Sequence, residues 1–215
     1  MRLQLTPRRR SPAALAGLGA AYLVVLSVGL ATAPAGAPIA DPWFSLMEGL
    51  ILLIVPLMVA MTADIHARAA PEAKTAALLA VAFMTVAAAL TATIHFSILT
   101  LSRTPPFPDA AWSGVFSFEW PSVVYAVDIL AWDGFFPLAL FCAAPAVRSR
   151  LIRRLLLLAA VLALIGILGP VLGRMDIRNI GIAGYAVVFP FAAGLYAFCT
   201  PATGVKRPRK RHKAA

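Results

Sequence analysis

Charge is scarce in this sequence, and acid scarcer still: of 215 residues only 13% are charged, and nine are Asp or Glu. Ordinary globular chains carry about a quarter charged residues, so a conventional water-facing surface is excluded. Cysteine is limited to Cys142 and Cys199, which rules out a disulfide scaffold. Both fall near the expected cytoplasmic ends of helices, where thiols stay reduced and serve packing. Several catalytic signatures are also missing: a paired Asp-rich metal motif, a Gly-rich phosphate loop, His-Glu-x-x-His and a nucleophile elbow. Magnesium-dependent ionisation of a diphosphate is therefore disfavoured, and neither a metal nor a cofactor is expected. Asp64-Ile65-His66 with Arg68 offers too few ligands for a metal site and reads as a solvated helix end.

What is abundant is apolar surface: 61% of the residues are hydrophobic and the mean hydropathy is +0.85. A soluble domain cannot hide that much, whereas a bilayer accepts it. A transmembrane helix needs about 20 apolar residues at about 1.5 Å each. Pro, Gly and charged breaks divide the chain into six such runs, at residues 13–34, 43–63, 75–101, 118–147, 151–173 and 179–200. The expectation is a single all-α domain, a polytopic bundle of six spans. It is flanked by a basic N-terminus (1–12) and a basic tail (201–215) that cannot bury a core.

Lys and Arg in short loops favour the cytoplasmic side. With the N-terminus inside, 16 of the 19 basic residues fall inside, and only Arg103, Arg174 and Arg178 fall outside. That places both termini in the cytoplasm of a multi-pass protein of the cell membrane. The tail around Lys206 to Lys213 acts as an anchor attracted to anionic lipid heads, and no nucleic-acid partner is expected. The first run, preceded by Arg8-Arg9-Arg10 and followed by Ala31-Thr32-Ala33, also resembles a signal peptide. Its length favours a retained helix; were it cleaved, five helices would remain, with the intramembrane polar chamber expected to be untouched.

Ionisable residues inside spans each cost several kcal/mol and tend to face a cavity or a partner. Four stand out: Glu48, His95, Asp128 and Asp133, with Glu119 at the edge of the fourth run. From the rise per residue, Glu48 lies about 7 Å and His95 about 9 Å inside the outer boundary, and Asp128 about 15 Å from Phe118, near the midplane. At about 100° per residue, Tyr125, Asp128, Trp132, Phe135 and Phe136 share one sector of the fourth helix. Asp133 and Glu119 project about 140° or more away, towards another partner or water. Tyr185 and Phe189 form an aromatic stripe on the sixth helix. The plain alternative for each of these residues is interhelical hydrogen bonding or ordinary packing. Two acids at depth on different helices exceed what packing needs.

A carboxyl group desolvated among aromatic rings favours its protonated form, the state a general acid requires, and aromatic faces stabilise a nearby cation. That pairing suits proton-initiated cyclisation or isomerisation of an alkene or epoxide in a lipophilic molecule. A second group, Glu48 or His95, would accept the terminal proton. The candidate catalytic residues are thus Asp128, Glu48 and His95. The candidate substrate contacts are Tyr125, Trp132, Phe135, Phe136, Tyr185, Phe189, Glu119 and Asp133.

The segments Asp41-Pro42-Trp43-Phe44-Ser45-Leu46-Met47-Glu48 and Glu119-Trp120-Pro121-Ser122, the latter running on to Asp128 and Asp133, resemble the small integral-membrane terpene cyclases of bacterial and fungal meroterpenoid and indole-terpenoid pathways. The likeness rests on size, the multi-span plan and intramembrane acids. It implies that carboxylates on separate helices, here Glu48 and Asp128, protonate a prenyl chain. Fungal members of that family have seven spans, one more than this chain offers. Two other classes fit the same residues. One is a small proton-coupled transporter or solute-binding protein relaying protons through Asp128, Glu48 and His95, for which a homo-oligomer could supply a second half. The other is an accessory subunit holding partner helices through Glu119 and Asp133.

Overall fold

In the computed structural model, residues 7–34, 37–101, 104 and 113–200 are described. The expected basic tail, Arg2 and Arg103 lie outside the described residues. Six helices are long and apolar enough to cross a membrane: α1 (Arg10–Thr32), α2 (Trp43–Arg68), α3 (Pro71–Leu101), α4 (Val123–Ala146), α5 (Arg150–Val171) and α6 (Met175–Cys199). There is no strand among the described residues. The six-span, all-α expectation holds, and the protein is multi-pass.

The ends of the helices differ from the sequence expectation for identifiable reasons. α2 continues to Arg68 because Arg68 Nε donates to Asp64 Oδ2 one turn back, at 2.7 Å, which extends the helix past its apolar run. α3 opens on Pro71, which suits a first turn because it has no N–H to leave unsatisfied. α4 starts at Val123, not Phe118: the Ser122 hydroxyl accepts from the Tyr125 N–H at 3.1 Å and caps the helix there. α6 starts four residues before the expected boundary, at Met175, and that shift matters most for the site.

Consecutive helices pack side by side, and α1 closes the ring against α6. Close approach depends on small residues. A Cβ on Gly19 of α1 would stand 2.6 Å from Pro190 Cβ of α6, and one on Gly184 of α6 would stand 2.7 Å from the Ala159 carbonyl oxygen of α5. α5 shows the inverted pattern of a lipid-facing helix: Ile152, Leu156, Ala159, Ala160 and Ala163 are buried, while Leu151, Leu158, Val161, Leu164 and Leu168 point outwards. Tight packing of small side chains replaces the hydrophobic drive that lipid removes.

Two helices change their winding midway. α4 passes through a π segment at Leu130–Phe135 and α6 through one at Ala183–Val188. Each is followed by a Phe-Pro pair, Phe136-Pro137 and Phe189-Pro190. A proline lacks the N–H that would close an α-turn, and its ring crowds the carbonyl four residues back. A wider turn just upstream relieves that crowding. The two π segments face each other, with the Trp132 and Tyr185 ring centroids 4.8 Å apart.

Candidate functional site

The wide turn in α4 decides which carboxylates meet. In an unbroken α-helix Asp133 would project well away from Asp128, but a π turn brings residues five apart nearly into line. Both acids consequently reach one cation, Arg178 in the first turn of α6. Arg178 Nη2 donates to Asp128 Oδ2 at 2.6 Å and Nε donates to Asp133 Oδ2 at 3.3 Å. The expectation that Asp133 needs a separate partner or water is corrected by this shared guanidinium.

On the other side of Asp128 stands His95 of α3. Its Nε2 lies 3.4 Å from Asp128 Oδ1 without hydrogen-bond geometry, and its Nδ1 lies 2.7 Å from Glu48 Oε2 of α2. Glu48, His95, Asp128, Arg178 and Asp133 form one chain of contacts across α2, α3, α4 and α6, and all five are at least 95% buried. The rise per residue puts the first four about 5–9 Å inside the ends of their helices. Asp128 therefore lies in the same layer as the others rather than near the midplane, because α4 begins five residues later than expected.

Fully ionised, the cluster sets three carboxylates against one guanidinium and one imidazolium. It is then one proton short of neutrality. Net charge is costly in a low-dielectric interior, and one proton shared within the cluster would balance it. Three fully buried atoms, His95 Nε2, Asp128 Oδ1 and Asp133 Oδ1, have no hydrogen-bond partner among the described residues. A proton moving within the cluster has places to go.

Asp133 sits where only glycine admits it. A Cβ on Gly166 of α5 or on Gly181 of α6 would stand 2.6 or 2.7 Å from Asp133 Oδ1, and one on Gly169 would press on the Arg178 backbone at 3.3 Å. Gly166, Gly169 and Gly181 thus let the start of α6 fold down over α4 and carry Arg178 into the bundle.

Beside the cluster lies a cavity of about 540 Å³, within the range of small-molecule sites. Glu48, His95, Asp128 and Arg178 form its polar side. Phe44, Ile51, Ile98 and Phe118 contribute apolar wall, and Leu15, Met58 and Pro190 line its far end. Met58 is 15 residues along α2 from Trp43, so the cavity reaches about 20 Å from the helix ends.

Of the expected substrate contacts, Tyr125, Trp132, Tyr185, Phe189 and Glu119 line this cavity, Glu119 as an exposed side chain outside α4. The remaining three lie elsewhere. Asp133 is sealed behind Arg178 with no exposed surface. Phe136 supports the lining from behind, against Trp132, Tyr185 and Phe189. Phe135 turns towards Phe83 of α3.

Two residues of the site had no role in the sequence reading. A cation at the edge of an apolar run reads as a topology signal, which places Arg178 in a loop. It lies instead with its guanidinium 4.4 Å from the Tyr125 ring centroid. The signal that could have found it is the imbalance itself, since three acids inside the spans demand a cation. Tyr22 of α1 lines the cavity together with Leu15, Gly19 and Leu26. This corrects the expectation that the site is independent of the first span, because α1 supplies one wall of it.

Comparison of the chain with protein families, with curated proteins and with solved structures finds no significant match.

Proposed function

We propose that this protein is an integral membrane enzyme, resident in the cell membrane with both termini in the cytoplasm, that transfers a proton to a lipophilic substrate held in the cavity. The reaction class is acid-initiated cyclisation or isomerisation of a prenyl or terpenoid-like molecule. The observation that carries this reading is His95 standing between Glu48 and Asp128, all three on the wall of a largely apolar chamber.

Asp128 lies on the face shared with Tyr125 and Trp132; it is the carboxylate partner of Arg178 at rest and delivers the proton that reaches it from His95. Glu48, through His95, replaces it or takes up the proton released at the end of the sequence. The rings of Tyr125, Trp132, Tyr185 and Phe189 line the path along which positive charge develops, where their faces lower its energy. Arg178 neutralises part of the carboxylate charge, so that one proton suffices to balance the cluster. The apolar wall of Phe44, Ile51, Ile98 and Phe118 limits the water that can reach a cationic intermediate.

The test is conversion of a panel of prenylated alkenes and their epoxides by purified protein in liposomes, with products read by mass spectrometry. Asp128→Asn and Glu48→Gln keep side-chain shape and remove the acid. Each is expected to lower the rate by about a hundredfold or more without loss of the folded protein. An Asp128→Asn protein that works at the normal rate would overturn acid delivery by Asp128.

A further inference from the structure

Arg178 is held by two of its three guanidinium nitrogens. Nε is committed to Asp133 and Nη2 to Asp128, while Nη1 has no hydrogen-bond partner among the described residues and is not among the sealed, unsatisfied atoms of the interior. Arg178 also belongs to the cavity wall. One N–H-bearing nitrogen is therefore open to an occupant, at the polar side of a chamber whose far end is apolar.

A lone arginine in such a place would recruit an anion, because a guanidinium matches carboxylate and phosphate geometry. Here its charge is already answered by two carboxylates at 2.6 and 3.3 Å, with Glu48 further along the same wall. A phosphate or carboxylate head would have to enter beside Asp128 and Glu48, and like charges so close in a low dielectric repel strongly. What the site offers is a hydrogen-bond donor without net attraction for negative charge.

We propose that Arg178 is the head-group contact of the chamber, donating from Nη1 to an uncharged oxygen of an apolar molecule (a hydroxyl, ether or carbonyl), and that Asp128 and Glu48 exclude anionic heads. This rests on the reading of the chamber as the site of a lipophilic substrate and adds which end of that substrate faces the cluster. The head oxygen sits at Arg178, and the hydrocarbon runs towards Leu15, Met58 and Pro190. Asp133 is a positioning residue: it orients the guanidinium from behind and does not touch the occupant.

The test uses the full chain in phosphatidylcholine nanodiscs, with Trp43, Trp112 and Trp120 changed to Phe so that Trp132 on the chamber wall is the reporter. The probes are ω-bromododecanol, ω-bromododecyl phosphate and ω-bromododecylamine, with concentrations corrected for partitioning into lipid. Bromine quenches indole fluorescence on contact. The alcohol is expected to quench saturably. The phosphate, studied at a pH where it carries close to two charges, should need about a tenfold higher concentration or fail to saturate.

The charge-balanced double variant Arg178→Gln with Asp133→Asn removes one cation and one anion together, so the cluster keeps its net charge. It should weaken the alcohol by about tenfold, the worth of one charge-assisted hydrogen bond, and still reject the phosphate. Equal binding of phosphate and alcohol, tighter binding of the amine than of the alcohol, or unchanged alcohol binding in the double variant would each overturn the head-group assignment and leave the chamber reading standing. No saturable quenching by any probe would overturn both.

Discussion

The two ends of the bundle use similar side chains to opposite effect. At the end where α2 finishes, Asp64 accepts from Arg68 one turn away at 2.7 Å and from the Tyr196 hydroxyl of α6 at 2.9 Å. An acid, a base and a phenol meet there above a core of alanines: Ala80, Ala139, Ala143, Ala160, Ala192 and Ala193 are all fully buried. At the opposite end Glu48, His95, Asp128, Arg178 and Asp133 come from four helices, leave three fully buried polar atoms without partners among the described residues, and border a cavity of about 540 Å³. The first arrangement ties two helices together. The second gathers charge beside a cavity, as expected where polar groups act on a ligand rather than on each other.

The largest effect that could break this contrast comes from Arg178. Arg178→Leu leaves three carboxyls around a single imidazole and is expected to cost about 3–5 kcal/mol, the usual penalty for orphaning a buried charge. Thermal unfolding in detergent would read this. Adding Asp133→Asn should recover a large part of the loss, and failure to recover would mean that the two residues are not coupled.

Next in size are the glycines. Gly181→Ala and Gly184→Ala should each cost about 1–3 kcal/mol, since the new methyl group meets Asp133 Oδ1 in one case and a backbone oxygen in the other. They separate the site from the scaffold. Gly181→Ala should also abolish conversion by pushing Asp133 against Arg178. Gly184→Ala, measured on the protein that remains folded, should lose less than half of its activity. Equal loss in both would show that the site depends on the α5–α6 contact as a whole.

The smallest effect belongs to the other end. Tyr196→Phe removes one hydrogen bond to Asp64 and should cost about 1 kcal/mol, with the turnover number unchanged. A drop in turnover would show that the Asp64 end communicates with the chamber and would blur the distinction between a tie and a site.

Much of the fold was legible in the amino-acid sequence because lipid imposes a simple rule: helix length and apolar content locate six spans, and α2 and α3 start or end at the expected residues Trp43 and Leu101. The candidate site was legible only in part. Glu48, His95 and Asp128 were visible as costly residues in apolar surroundings. Their partner Arg178 was not, because the boundary of α6 was set four residues late and a terminal cation has a ready explanation in topology. Asp133 was misassigned because the 100° helical step assumes an unbroken α-helix. Pro137, four residues beyond Asp133, was the sign that the winding changes. Tyr22 is hidden because its span also resembles a signal peptide, which makes α1 look dispensable in the amino-acid sequence.

Proton transfer from the cluster to a substrate can be observed by converting an alkene of the panel, in which a carbon accepts the initiating proton, in deuterated water. The product is expected to carry one solvent deuteron on carbon, with neither label nor product in the Asp128→Asn protein. Product that forms without deuterium on carbon, or that carries it equally in the Asp128→Asn protein, would contradict catalysis by the carboxylate–imidazole–carboxylate chain.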